Sequence, residues 1–569
     1  MSSNNNIACP LDCFDACQAQ KIDDNIKGSD ENITNKKLCV NFASLLKQEY
    51  LQKPIYKGNE ISLNEAIDIL VEKLKNTNPE DTIYYKGAGN IGLMQKAPKA
   101  FFSQYGSVLT KGGLCDEIGN EGIEQGRNGV NINPPLEKLL EADVIISWGR
   151  NFCVTSSHMY NQVKDKTLIT IDPIKTKTAK KSDLHLQINP KTDYELALMF
   201  TRLAHMSNLD DEEFLEEYCE GYDWFFDIAK NRPLVSYEAT TGVGLDEVYK
   251  FFDLIEGKSV AIMIGVGVQK YFEGAQIMRC IDSFAAYMGY HNPKTAGGVW
   301  YLSNSSYGYK DQFETKSKNK KVCVPEMDFS KYEVSFIQGA DPVVSNPNTQ
   351  SIINGLENSF VVYFGTTFNE TCKYADLIIP SSSFLSKLDV RSSYGNRHIS
   401  ISDVIEEKNE NSLSEYELTS ILLDKFGFEN LKDEEEIIEY YKNTEVDYEE
   451  LESFEFIEDI DIEPLYKDKT EEDFYLITAK KDDSLNSQFK IDNNVYLNSS
   501  TGYKDGDSVK ISSKYGEANF SVKISDDIKS NCAFFFSGNR SINYLTPNKE
   551  DEVANSTMFQ EVLIQIELS

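Results

Sequence analysis

Trp148-Gly149-Arg150-Asn151-Phe152-Cys153-Val154-Thr155-Ser156 follows a short β-branched run, Asp143–Trp148, and the chain carries a second version of it at Gln338-Gly339-Ala340-Asp341-Pro342-Val343-Val344-Ser345-Asn346. Each version places Asn or Asp two residues after the glycine, Val five after and Thr or Ser six after. A second matching pair follows. Thr178-Ala179-Lys180-Lys181-Ser182-Asp183-Leu184-His185-Leu186 answers Thr371-Cys372-Lys373-Tyr374-Ala375-Asp376-Leu377-Ile378-Ile379, and the glycine-to-threonine separations are 29 and 32 residues. Self-similarity on this scale marks one supersecondary unit used twice.

Further β-branched runs lie around the repeat: Thr167–Ile171, Val260–Ile264, Val334–Ile337, Phe360–Phe364 and Asp376–Ile379. Helical patterns such as Tyr194–Met206 separate many of them, and strands alternating with helices predict an α/β architecture with parallel sheets. Ligands of such units bind beyond the carboxyl ends of the strands. Glycine there lets backbone approach a phosphate, while a carboxylate or amide reads ribose or base. Two units predict two nucleotide-like ligands, or one ligand with two halves. The same spacing also fits two copies of a structural turn without a ligand. Gly265-Val266-Gly267 is a weak glycine signal that counts only within this repeat.

Near the N-terminus Cys9, Cys13, Cys17 and Cys39 stand in the spacing C-x3-C-x3-C-x21-C. Three closely spaced thiolates can wrap three corners of an iron–sulfur cubane, with the distant fourth closing it. Zinc also accepts four thiolates, but favours paired C-x2-4-C knuckles. Radical chemistry on S-adenosylmethionine uses three cysteines and leaves one iron open, the corner that Cys39 would fill here.

The 569 residues allow several domains, and the formal charge of −34 leaves no basic face for nucleic acid. No apolar run reaches the ~18 residues of a membrane span. The polar start, Met1–Ile7, lacks a secretory signal, so the expected location is the cytoplasm. Eleven cysteines in such a chain point to free, metal-bound or catalytic thiols rather than disulfides. Phe428–Asp473 is dense in Asp and Glu and reads in part as a solvated helix and linker. Alternating strands follow it, for instance Ser508–Ser512 and Ala518–Ile524, with a turn at Lys504-Asp505-Gly506-Asp507.

The cysteine quartet and the doubled pattern together resemble the molybdopterin oxidoreductase family, also called the dimethyl-sulfoxide reductase family. The matching stretches are Cys9–Cys39, Ala142–Asp193, Gly265–Gly298, Ile337–His398 and Leu476–Glu567, with the motifs ADVIISWGRN, FNETCKYADLIIPSSSFL, SLNSQF and NYLTP. The pattern is nearest to formate dehydrogenase and polysulfide–thiosulfate reductase-like catalytic subunits.

The resemblance implies two related α/β dinucleotide-binding domains, a small N-terminal iron–sulfur domain and a six-stranded C-terminal β-barrel. The implied boundaries are 1–52 with 385–450 for the iron–sulfur domain, 53–112 with 305–384 for the second dinucleotide, 113–304 for the first, and 470–569 for the barrel. It implies a molybdenum or tungsten ion on two molybdopterin guanine dinucleotides, a [4Fe–4S] cluster, a small-molecule substrate and a redox partner protein. Trp148, Gly149, Asn151, Asp172 and Asp193 match positions holding one dinucleotide. Gly267, Gln269, Gly339, Asp341 and Asn346 match the other, and Asn486, Gln488 and Asn543 match cofactor contacts from the barrel. Cys115 falls where members carry the protein ligand of the metal, and Asp116 beside it is a candidate acid or base, or else a solvated loop carboxylate.

Several positions depart from the family pattern. Asn41 stands where many members have a lysine between cluster and pterin, Ile174 where an arginine is common, and Gly365 where an aspartate often ends a strand. The formate-oxidising members have histidine at the place of Asp116 and an arginine in the loop that is here Val299–Tyr309, which has none. Formate oxidation is therefore disfavoured. An electron-relay subunit with a degenerate site and a non-redox hydratase stay open beside the oxidoreductase.

Overall fold

The computed structural model describes residues 5–30, 33–89, 91–303, 309–444 and 451–569. Parts of the polar start, of the arginine-free loop and of the acidic stretch lie outside the described residues. Two parallel sheets carry the repeated unit. In the first, Leu184–Leu186, Thr167–Ile171, Val144–Trp148, Val260–Ile264 and Gly298–Trp300 lie side by side, all parallel. Every residue of Val144–Trp148 and Val260–Ile264 is buried, as a parallel strand covered on both faces requires. Helices Asp193–Met206 and Gly274–Tyr287 share its core, where Phe200 stacks on Phe251 at 4.2 Å and Trp148 meets Phe200 edge-on.

The second sheet has eight strands in the order Lys321–Cys323, Val108–Lys111, Thr82–Lys86, Val334–Gln338, Phe360–Gly365, Leu377–Pro380, Ile55–Tyr56 and Asn59–Glu60. The first six are parallel and the last two form an antiparallel edge. Segments on either side of the whole first unit thus share one sheet. Helix Leu63–Lys75 covers it with Ala66, Ile67, Leu70, Val71 and Leu74 at helical spacing, and Ser62 caps its start by accepting from the Glu65 N–H.

Residues Phe474–Ala479, Cys532–Phe536, Asn494–Leu497, Glu517–Ile524, Ser508–Ser512 and Leu563–Leu568 close into a barrel. At the N-terminus, Asn6–Ala8, Gln18–Ile22 and Asn25–Gly28 make an antiparallel sheet. The loop Cys9–Cys17 joins its first two strands and is pinned by Cys9 N–H donating to the Cys17 carbonyl at 2.9 Å.

Thr167–Ile171, Val260–Ile264 and Ser508–Ser512 begin and end where the sequence pattern places them, and the other runs shift by a residue. The acidic stretch is less solvated than its composition suggests. Its helix Glu434–Lys442 buries Ile437, Ile438 and Tyr441, and Phe454–Glu455 pairs with Cys219–Glu220. Three apolar side chains on one face suffice to dock a helix whose remaining positions are charged except for Tyr440. No described helix is long and apolar enough to cross a membrane.

Candidate functional site

The repeat is the same at the level of hydrogen bonds. Gly149 and Gly339 both adopt positive φ, +57° and +53°, directly after a central strand. Their N–H groups donate to Ile171 and Phe364 carbonyls at 2.8 and 2.9 Å. Two residues on, Asn151 Oδ1 accepts from Thr178 Oγ1 at 2.9 Å and from its N–H at 3.2 Å. Asp341 Oδ1 accepts from Thr371 Oγ1 at 2.7 Å and from its N–H at 3.0 Å. These bonds explain the paired Asn/Asp and Thr of the two stretches. The spacing is in this respect a structural tie, which leaves the glycine backbones beside it facing a cavity.

That cavity has a volume of about 1650 Å³, beyond the usual range for one small ligand. Both α/β units, the N-terminal cysteine loop and the barrel line it. Gly149, Asn151, Asp172, Asp193 and Gly267 face it from the first unit, Gly339 and Asp341 from the second, and Asn486, Gln488 and Asn543 from the barrel. Cys9, Cys13, Cys17, Cys39, Cys115 and Asp116 line it too.

Three expected contacts are not on its wall. Trp148, Gln269 and Asn346 are fully buried behind it. Trp148 Nε1 donates to Asp193 Oδ1 at 2.8 Å, Asn346 accepts from Tyr85 Oη at 2.8 Å, and Gln269 bridges the Cys115 carbonyl and the Gly119 N–H. Each orients a lining residue instead of offering a group to the cavity.

Cys115 sits between strand Val108–Lys111 and helix Glu117–Gly126. Lys270, itself buried, donates to the Leu114 and Cys115 carbonyls at 2.8 and 2.5 Å and holds this loop from beneath. Burial pushes the Cys115 thiol far above its usual range, with Asp116 and Asp12 adding to it and Lys270 opposing. Burial and the neighbouring Glu117 raise Asp116 to about 6, and its Oδ2 accepts from Asn120 at 2.7 Å. Asp12, within the cysteine loop, accepts from Tyr394 Oη at 2.9 Å and from Asn486 Nδ2 at 3.2 Å.

The four N-terminal thiols are each shifted upward by burial, Cys9 to about 12, and Cys9, Cys13 and Cys17 also feel other members of the quartet. Residues 149–158 of the first unit pack against the part of the loop from Cys13 to Cys17. Thr155 O accepts from Cys13 Sγ at 3.7 Å, and the Arg150 guanidinium lies 4.2 Å over the Phe14 ring. Among the described residues, one group of three ligating atoms within 4.8 Å of each other occurs, Asp15, Cys17 and His158.

Asp172 is pushed up to about 7 by burial and by Asp193, which burial raises to about 6. Two neighbouring buried carboxyls of this kind are built to accept from a multi-donor partner. Lys177, Lys480 and Lys481 line the cavity on one side and Lys373 and Arg540 on the other. Sequence reading alone overlooked Asp12, Lys270, Tyr394 and His158. Only Lys270, beside Gln269, and Asp12, between two cysteines, carried a local signal.

The family model for molybdopterin oxidoreductase matches residues 51–411, and the model for the molybdopterin dinucleotide-binding domain matches residues 474–563. "Probable oxidoreductase YoaE" of Bacillus subtilis is 26% identical, covering 80% of this chain and 75% of its own. The F420-dependent formate dehydrogenase 2 subunit alpha of Methanococcus maripaludis is 23% identical over 60% of this chain and 57% of its own. The assimilatory nitrate reductase catalytic subunit of Bacillus subtilis is 23% identical over 66% and 62%. Among solved structures, acetylene hydratase from Pelobacter acetylenicus superposes with a TM-score of 0.77 at 15% identity, covering 99% of this chain and 100% of that one.

Proposed function

The chain belongs to the molybdopterin oxidoreductase family, and from that premise we propose that it is a redox catalytic subunit, holding molybdenum or tungsten on two pterin guanine dinucleotides beside a [4Fe–4S] cluster. The observation that carries this reading is one cavity lined at once by Cys115, the cysteine quartet, both repeat glycines and the barrel loop of Asn486 and Gln488. Once bound, the metal would supply two-electron chemistry and the cluster one-electron exchange with a partner protein.

The donor sets suit these groups. The spacing C-x3-C-x3-C-x21-C of the quartet suits a cubane better than zinc, which favours paired C-x2-4-C knuckles. All five thiols are held neutral by burial, a cost that ligation to a positive centre removes.

The remaining lining residues have separate tasks. Asp172 and Asp193 would accept from N–H donors of a guanine. Lys177, Lys480 and Lys481 would meet phosphate on that side, and Lys373 and Arg540 on the other. Lys270 and Gln269 fix the carbonyl of Cys115 and so aim its sulfur. Asp116, raised by burial and by Glu117, would hold or release a proton at its Oδ atoms.

Protein purified anaerobically from metal-replete cells should contain about four irons and one molybdenum or tungsten per chain. Iron without either metal overturns the reading. Cys115→Ala should keep the iron and lose turnover, whereas an electron-relay subunit would keep its function. The second reading is hydration without redox, supported by the protonatable Asp116 beside Cys115. Turnover with no electron acceptor present would favour it.

A further inference from the structure

His158 and Asp15 form a buried polar pair that the proposed reaction does not use. They are 5% and 1% exposed, against 5% for Cys17. Asp15 Oδ2 accepts from the His158 backbone N–H at 2.9 Å, which fastens the start of helix Ser157–Val163 to the cysteine loop. The side chains are left over. His158 Nε2 and Asp15 Oδ1 are both buried without a hydrogen-bond partner, and the ligating atoms of His158, Asp15 and Cys17 lie within 4.8 Å of one another. Unpaired polar atoms at this depth cost about 1–3 kcal/mol each and call for an explanation.

Both neighbours of the imidazole edge are acceptors, a carboxylate and a sulfur. A ring nitrogen that faces acceptors serves them best as an N–H donor, and Nε2 is the nitrogen of His158 buried without a partner. A thiol is a poor acceptor, whereas a thiolate bound to iron is a good one that gains negative charge when the cluster is reduced. A hydrogen bond to it stabilises the reduced form more than the oxidised form and raises the potential.

We propose that His158 Nε2–H donates to the Cys17 sulfur once the cluster is in place, and that this bond sets the cluster's reduction potential. The inference rests on reading the quartet as an iron–sulfur site. His158 is thus a tuning residue reached from the first dinucleotide unit, through the loop that begins at Gly149. That loop faces the cavity at one end and the cysteines at the other, so the environment of the cluster depends on how the first unit is seated.

The test is an EPR-monitored redox titration of whole protein as wild type, His158→Leu and His158→Gln, with iron measured in each. At the potential where wild type is half reduced, the reduced-to-oxidised ratio should fall about tenfold in His158→Leu, a shift of about 59 mV for one electron. His158→Gln keeps an N–H and should recover part of the shift. Proton ENDOR should find an exchangeable proton coupled to the wild-type cluster. Equal midpoints at equal iron content overturn the inference and leave the cluster reading standing. If His158→Leu does not fold, the lack of an exchangeable coupled proton in wild type overturns it as well. Wild-type protein without a cluster signal overturns the reading and the inference together.

Discussion

Lys191 Nζ lies 2.9 Å from Glu561 Oε1, with both side chains buried, and so bonds the first α/β unit to the barrel. Glu273 completes the group at 2.7 Å from the same ammonium. Removing one partner of a buried pair leaves an uncompensated charge, at about 3–5 kcal/mol. Lys191→Met should therefore unfold at lower temperature than wild type, with early proteolysis at the junction with the barrel. Burial already raises Glu561 above its usual value, so lowering the pH neutralises it and should shrink the defect. A defect that grows on acidification would contradict this account.

Gly149 and Gly339 are equivalent in the repeat but not in their surroundings. A Cβ on Gly149 would meet Val268 Cγ1 at 2.4 Å, whereas a Cβ on Gly339 meets nothing within 4 Å. Both alanine variants incur the strain of positive φ, about 1–2 kcal/mol, and Gly149→Ala adds about 1–3 kcal/mol of overpacking. Gly149→Ala should thus be the less stable of the two in thermal melts. Val268→Ala should rescue it in part and should not help Gly339→Ala.

The threonine ties also differ. Thr371 donates to the carboxylate of Asp341 and Thr178 to the amide of Asn151. Hydrogen bonds to charged groups contribute about 1.5–3 kcal/mol against about 0.5–1.5 for neutral ones. Thr371→Val should lower stability more than Thr178→Val in denaturant titrations. The two effects should converge at acid pH once Asp341, raised by burial, is protonated.

Asp282 is fully buried and accepts from Arg127 Nε at 2.8 Å, from Arg127 Nη2 at 2.6 Å and from His291 Nε2 at 2.8 Å. Burial alone would raise it, yet Arg127 and His291 outweigh burial and hold it well below the usual carboxylate range. A depressed folded value means that the stability from this group is complete above the unfolded value near ~4 and is lost as pH falls below it. Asp282→Asn should cost about 3 kcal/mol or more at pH 7. Its unfolding curve should approach the wild-type curve below about pH 3.

Much of this architecture was readable from local patterns. Val260–Ile264 stands out because a strand buried on both faces must be apolar throughout, and Thr167–Ile171 because it is β-branched at four of its five positions. The repeated Gly-x-Asn/Asp and its later threonine stand out because one hydrogen-bond geometry demands both partners. What joins distant segments was not readable. The pairing of Thr82–Lys86 with Val334–Gln338 brings together parts of the chain with the first unit between them. Trp148, Gln269 and Asn346 show the same limit at the site. Their positions in the motifs are as expected, but only the packing reveals that they hold lining residues. His158 had no ligand spacing to its credit, because the loop that carries it meets Cys17 through the tertiary fold alone.

The barrel loop that carries Asn486 and Gln488 forms one wall of the cavity and bonds to Asp12 and Gly89 on the opposite walls. During synthesis residues after 473 emerge later than both α/β units, and domains fold as they emerge. The last segment of the chain therefore completes a wall that the first forty residues begin, and the cavity exists in full only where both ends of the chain have met.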